Sequence, residues 1–465
     1  MKNNRAKIGL LGLSLELYQK NLPELMESLK KFSHKLKLTL EETINIVHFP
    51  LACNREEIEK AFSIFKKENV EGIILVFLSY ATSLSLLPVL KKYSFPLLIW
   101  NTQNLREITK EFSHLDLMNN HGMHGVQDLC SVLQREKIPF SLITGHFLDC
   151  EVQRRVKSWC QSAHLAANLK KIQIGRIGGT FKNMGDFSVG KEVLTKELGP
   201  KVEEIPFPYF AQVAKKVREE DINLSMLEDR KKFEIDKNLE EKTHFRSTRL
   251  ELALREIVKE KGLSALAINF SAFDPSLGVE TVPFLGISKL LGQGLGYGGE
   301  GDIYSATAVY LLQFLEGKAN FVEMFTTDYK NSLILMNHMG ESNPQMAKKD
   351  LPIRMVQDNL TLSNCSPTAI LSFTLEPGEV TLLNLKISSK RKLGFILTRG
   401  EILDRPPFPD ISSPHFIFKP RMKVEEFLTQ YSLYGGTHHC ALCYGDYSEE
   451  IRHFTQITGI PLLEI

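Results

Sequence analysis

Between residues 7 and 150, five short apolar runs alternate with amphipathic stretches, and that alternation restricts the possible folds more than any other feature of the chain. The runs are Ile8-Gly-Leu-Leu-Gly12, Ile44-Asn-Ile-Val-His48, Ile73-Ile-Leu-Val-Phe77, Leu97-Leu-Ile-Trp100 and Phe140-Ser-Leu-Ile-Thr144. Helix-like segments such as Leu22 to Phe32 and Arg55 to Glu68 lie between them. Strands buried on both faces and separated by helices predict a doubly wound parallel sheet. Ligands approach such a sheet at the carboxyl ends of its strands, where Thr102 and Gln103 follow Trp100. The first turn, Gly9-Leu-Leu-Gly12-Leu-Ser14, is not a G-x-G-x-x-G, so no dinucleotide fingerprint is present. The stretch from Met118 to Asp128 sets His121 and His124, with two amides, at a helix N-terminus. Such a cluster suits a hydroxyl-rich ligand or simply caps and packs the helix.

A second α/β unit begins near Lys171. Ile172-Gln-Ile-Gly175 and Leu266-Ala-Ile-Asn-Phe270 read as strands, Gly178 to Asp186 as a glycine loop, and Phe284 to Leu291 as a helix. The charged segment from Val213 to Lys261 reads as a solvent-facing helical layer. Gly294-Leu-Gly-Tyr-Gly-Gly-Glu-Gly-Asp302 reads as a glycine loop carrying one carboxylate, Glu300, with Asp302 placed to cap the next helix. After about residue 325 strands and turns alternate: Leu333 to Met336, Ala369 to Phe373, Val380 to Ile387, Leu393 to Leu397 and His415 to Phe418. The expected architecture is α/β: two doubly wound parallel-sheet, Rossmann-like domains followed by a β-rich, barrel-like C-terminal domain. The boundaries fall at residues 1–168, 169–325 and 326–465.

Composition narrows the function classes. A net charge of +2 across 465 residues, with Lys and Arg scattered, predicts no nucleic-acid partner. No apolar run approaches the roughly 20 residues that span a bilayer, so no membrane segment is expected and a cytoplasmic location is. Seven cysteines without framework spacing fit reduced thiols. Cys440 and Cys443 form a C-x-x-C with no second pair to complete a structural zinc site.

Four sites carry possible chemistry. Glu300 sits on the glycine stretch, Glu323 lies within the apolar run Asn320-Phe-Val-Glu-Met-Phe325, His338 ends an apolar strand, and His438 and His439 follow Gly435-Gly436. Carboxylates with imidazoles match the donors of Mn²⁺ or a related divalent cation. Each residue also has a structural reading, as a capped Glu, a core-edge His or a loop pair, and the spacing forms no local motif.

Together, Gly294 to Asp302, Phe321-Val-Glu323, His338-Met339 and Gly435-Gly-Thr-His-His439 resemble the L-arabinose isomerase and L-fucose isomerase superfamily, particularly its arabinose branch. Asn101-Thr-Gln103 resembles that branch's His-Thr-Gln, and His124-Gly125 its Ala-His-Gly. The resemblance implies a Mn²⁺-dependent aldose–ketose isomerase acting on a pentose or 6-deoxyhexose, assembled as a homo-trimer or homo-hexamer with active sites between subunits. It makes Glu300, Glu323, His338 and His439 the metal ligands. It also makes Glu300 and Glu323 the acid/base pair, and Tyr18, Gln103, His124 and His438 the substrate contacts. His124 would come from the adjacent subunit, and His438 also supports its loop. Three segments depart from the family pattern. Leu15-Glu16-Leu17-Tyr18 replaces Gln-His-Leu-Tyr, Gly179 to Gly185 replaces Phe-Gly-Asp-Asn-Met-Arg, and His338-Met-Gly-Glu-Ser342 replaces His-Met-Leu-Glu-Val. A non-catalytic sugar-binding relative is the competing expectation, and retention of both carboxylates argues against it.

Overall fold

The computed structural model describes residues 5–360, 365–388 and 391–465, which group into two compact units. One runs to Asn168 and takes in Glu449–Gly459; the other holds Leu169–Ser448 and Ile460–Ile465. No helix among the described residues is long and apolar enough to cross a membrane.

The first unit is built on β1 (Lys7–Leu13), β2 (Asn45–Ala52), β3 (Gly72–Phe77), β4 (Leu97–Asn101) and β5 (Ser141–Thr144). All are parallel, in the order β2-β1-β3-β4-β5. Side chains alternate across a strand, so each apolar run feeds two cores. Leu10, Ile74, Val76, Leu98 and Trp100 join one, and Leu11, Ile73, Leu75, Phe77 and Ile99 the other. Helix Pro23–Leu40 covers the first core with Leu25, Leu29, Phe32 and Leu36, three or four residues apart as one helix face requires. Helix Arg55–Lys67 covers the second; it starts where the Asn54 side chain accepts the Glu57 amide at 3.0 Å, a cap of about 1 kcal/mol.

The second unit carries the strands β6 (Gln173–Ile177), β7 (Lys201–Ile205), β8 (Glu234–Ile235), β9 (Ala265–Ile268) and β10 (Gly296–Gly299). It continues with β11 (Ala319–Asp328), β12 (Leu333–Asn337), β13 (Arg354–Asp358), β14 (Thr368–Ser372), β15 (Gly378–Ile387) and β16 (Leu393–Ile402). The last are β17 (His415–Pro420), β18 (His439–Tyr444) and β19 (Leu462–Glu464). A parallel sheet runs β10-β9-β6-β7, and β14-β13-β8 form a small separate sheet. Six antiparallel strands in the order β15-β18-β11-β12-β17-β16 close into a barrel through the pairing of β15 with β16, and β19 adds in parallel to β16. Two parallel sheets and a C-terminal barrel are the architecture that the apolar runs predict.

Two local readings change. Gly296–Gly299 is a buried strand rather than part of a loop. Glycine has little intrinsic preference for strands, and the cause here is close approach. A Cβ on Gly298 would lie 2.0 Å from the Asp302 carbonyl oxygen, and one on Gly296 would lie 2.6 Å from that of Ala306. Those carbonyls belong to the start of helix Ile303–Glu316, which is buried from Ile303 to Gln313. The helix packs against β10 and β9 of the sheet and against β18, β15 and β11 of the barrel, which explains its apolar character all round. The segment from Val213 to Lys261 is not simply a solvent-facing layer either. Helix Glu241–Lys261 buries Leu250, Ala253, Leu254 and Ile257, and its Glu251 meets Lys289 inside the protein.

Gly298→Ala should lower unfolding free energy by about 2 kcal/mol or more, since the clash is with backbone and no side chain can yield. Urea denaturation measures this, and a loss under about 0.5 kcal/mol would contradict the close seating of strand on helix.

Candidate active site

The glycine strand ends by delivering Glu300. This residue sits at φ 58° and Gly301 at φ 81°, and the Glu300 carbonyl accepts the Phe181 amide at 2.9 Å. A left-handed glutamate costs about 1 kcal/mol or more, and such strain concentrates where a side chain must be aimed. The barrel supplies the other groups by register. On adjacent antiparallel strands, Glu323 of β11 stands directly opposite His439 of β18, so both project from one face. Glu323 also pairs with Asn337 of β12, and His338 is the next residue.

Glu323, His338 and His439 bring one donor atom each within 4.8 Å of one another, and so do Glu300, His438 and His439. His439 belongs to both groups. Its Nδ1 donates to Asp302 Oδ2 at 3.1 Å, which leaves Nε2 as the lone-pair nitrogen. That Nε2 is buried, has no hydrogen-bond partner, and lies 3.6 Å from Glu300 Oε2. His338 has the same arrangement: Nδ1 donates to Glu341 Oε2 at 2.7 Å, and Glu341 Oε1 accepts the Tyr297 hydroxyl at 2.8 Å. A carboxylate behind each imidazole fixes the tautomer and raises the basicity of the other nitrogen, as in metal-ligating histidines. Phe321 packs on both rings, with centroids 4.6 Å from His338 and 4.7 Å from His439.

Charge in this pocket is unevenly shared. Burial opposes protonation of His338, yet the charge and hydrogen bond of Glu341, with Glu323 and Glu300 beyond, outweigh it and raise its pKa. Burial likewise works against an ionised Glu341, and His338 together with the Tyr297 hydroxyl reverses the effect, lowering its pKa. His438 is half-buried; burial would lower its pKa, but hydrogen bonds to Asp186 at 2.6 Å and Glu300 at 3.4 Å raise it to about 10.

Glu300, Glu323, His338 and His439 fall, with His438, into two groups of three that share His439. The donor set of two carboxylates and two imidazoles, with one buried imidazole nitrogen unpartnered, fits a divalent cation. Tyr18, Gln103 and His124 lie in the first unit. There Tyr18 packs against the core, the exposed Gln103 amide donates to the Leu105 carbonyl at 2.9 Å, and His124 meets His121 edge-on at 4.6 Å. Asp302, Glu341, Tyr297 and Asp186 are parts of the site that sequence reasoning missed. Asp302 reads in sequence as a helix cap, and it is one: Oδ1 accepts the amides of Tyr304 at 2.9 Å and Ser305 at 3.0 Å. The i,i+3 spacing of Glu341 from His338 was the available signal.

Comparison with known proteins accounts for nearly the whole chain. The model of the L-arabinose isomerase N-terminal domain matches residues 3–171, that of the central domain 174–317, and that of the C-terminal domain 318–461. The L-arabinose isomerase of Phocaeicola vulgatus is 25% identical over 91% of this chain and 86% of its own length. Those of Yersinia pseudotuberculosis and Shouchella clausii are 23% and 24% identical, each over 96% of this chain and 91% and 92% of their own. Among solved structures, an ABC transporter solute-binding protein from Burkholderia multivorans is 16% identical over 59% of this chain and 84% of its own, with a TM-score of 0.18, too low to carry any argument. The family models and the relatives define an aldose–ketose isomerase. The chain belongs to the L-arabinose isomerase family.

The raised pKa of His338 would make binding of a cation to its ring depend on pH. Below that pKa the ring carries a proton that a cation must displace, so Mn²⁺ affinity should climb as pH rises through it, by up to about tenfold per pH unit. Calorimetric titration between pH 5.5 and 8.5 measures the slope, and an affinity independent of pH would contradict the proton linkage.

Proposed function

We propose that this chain is a divalent-cation-dependent isomerase, served by Mn²⁺ or a related ion, that interconverts the aldose and ketose forms of a pentose or 6-deoxyhexose resembling L-arabinose or L-fucose. The observation that supports the reading is that Glu323 and His338 on one side, and Glu300 and His438 on the other, each form a group of donors with His439, whose buried Nε2 has no hydrogen-bond partner. These four side chains would hold the cation, which supplies Lewis-acid stabilisation of negative charge developing on the sugar oxygens. Glu300 and Glu323 then divide the proton traffic. One carboxylate takes the C2 proton as O1 gains one, giving a cis-enediol; C1 then receives a proton as the O2 hydroxyl gives its own up, so the ketose forms with no net change in protons. His438, protonated near neutral pH through its bonds to Asp186 and Glu300, would offer a substrate hydroxyl the Nε2–H that it directs at Glu300 in the structure.

The same reading gives the chain N-terminal, central and C-terminal domains at residues 1–168, 169–325 and 326–465. It assembles copies as a homo-trimer or homo-hexamer in which Tyr18, Gln103 and His124 serve the site of a neighbouring copy. Exposed Leu17, Leu84, Leu115, Leu117 and Met123, on the segments that follow the carboxyl ends of β1, β3 and β4, support a covered surface there. A cytoplasmic location agrees with cysteines that form no disulfide among the described residues.

A panel of aldopentoses and 6-deoxyhexoses incubated with Mn²⁺, with products resolved by NMR, tests the reading. At least one aldose should yield its ketose, and Glu300→Gln should cut turnover by at least about a hundredfold. Sugar binding that ignores the metal, with no ketose from any aldose, would instead establish a non-catalytic sugar-binding protein.

A further inference from the structure

The turn that follows His338, through Gly340 and Ser342, is held by a buried polar brace. Gly340 has φ 155°, and a Cβ there would lie 2.7 Å from Ile370 Cγ2 and 3.1 Å from Phe284 Cδ2, so this turn is seated too closely for a side chain. Two groups from different parts of the second unit hold it. Ser288, on helix Phe284–Leu291, donates from Oγ to the Gly340 carbonyl at 3.0 Å and accepts the Ser342 amide at 3.2 Å. Asn320, on β11, donates from Nδ2 to Ser342 Oγ at 2.8 Å and accepts the Asn343 amide on Oδ1 at 2.9 Å. The Asn343 side chain returns to the Ala319 carbonyl at 2.9 Å. Ser288, Asn320, Ser342 and Asn343 are all buried, so each of these bonds lies where water cannot replace it.

Both anchors lead into the site. Helix Phe284–Leu291 precedes the glycine strand that ends at Glu300, and Asn320 lies three residues before Glu323 on the same strand. Within the clamped turn, His338 and Glu341 form their ion pair at 2.7 Å. Resting on the metal-centre reading above, we infer that Ser288 and Asn320 are positioning residues, which set His338 and its partner Glu341 against Glu300 and Glu323 without touching cation or sugar. Two rigid anchors suit the task, because a metal site tolerates little misplacement of a ligand.

The test is Mn²⁺ titration by calorimetry of the full chain and its Ser288→Ala, Asn320→Ala and Ser342→Ala variants, with circular dichroism confirming the fold of each. Mn²⁺ affinity should fall about tenfold or more in each folded variant, the scale seen when outer partners of metal ligands are removed. Asn320→Ala and Ser342→Ala should be non-additive when combined, because they break one shared bond. A merely structural role would lower thermal stability and leave Mn²⁺ affinity of the folded protein within about twofold of the parent; that result would overturn the inference while the parent's binding upholds the metal centre. A parent chain that does not bind Mn²⁺ would overturn the metal centre and this inference with it. If the alanine variants do not fold, Ser342→Thr, which keeps the hydroxyl, and Ser342→Val, which loses it at equal size, decide the matter: Mn²⁺ affinity kept by Thr and lost by Val supports the brace, and equal affinities overturn it.

Discussion

Asp302 sits between the helix it starts and the histidine it aims, and the rest of the second unit is arranged around that double bond. One carboxylate oxygen takes the amides of Tyr304 and Ser305; the other takes Nδ1 of His439. A cap alone stabilises by about 1 kcal/mol, and a hydrogen bond to a buried charged group adds about 1.5–3 kcal/mol. Because the helix is sandwiched between sheet and barrel, the same side chain ties the orientation of a barrel residue to the start of a helix packed on the glycine strand. Glu300 and His439 come from different layers and reach one volume for that reason.

The glycines follow from the same constraint. β10 and the start of helix Ile303–Glu316 approach so closely that any Cβ at Gly298 would meet backbone, and the left-handed Glu300 that follows turns its carboxylate towards the imidazoles. Here strain and close packing serve one end, which is to fix a charged group beside the buried histidines. Phe321, beneath both histidines, belongs to the barrel strand that carries Glu323, so strand and site are built together.

The alternating apolar runs made the parallel sheets legible, because a strand buried on both faces has few other readings. The late run of short strands likewise announced the barrel. What the sequence hid was register. Nothing local says that Glu323 stands opposite His439, since that follows from the closure of the barrel across residues far apart in the chain. Gly296–Gly299 read as a loop because glycine signals turns in sequence, and only the neighbouring helix turns the same residues into a strand. Asp302 was recognised by half of its role, as a cap; its second oxygen has no sequence signature. Glu341 carried a signal at i,i+3 from His338, and its Tyr297 partner came from another strand. The candidate ligands each had a structural reading in the sequence, and it was the resemblance to the isomerase family that set Glu300, Glu323, His338 and His439 together.

Anomalous scattering at the manganese edge from crystals soaked in Mn²⁺ addresses the central claim most directly. A single strong peak bonded by Glu300, Glu323, and the Nε2 atoms of His338 and His439 is the predicted result. A pocket without a peak, or a cation held by Asp186 and His438 with His439 Nε2 left unbonded, would contradict it.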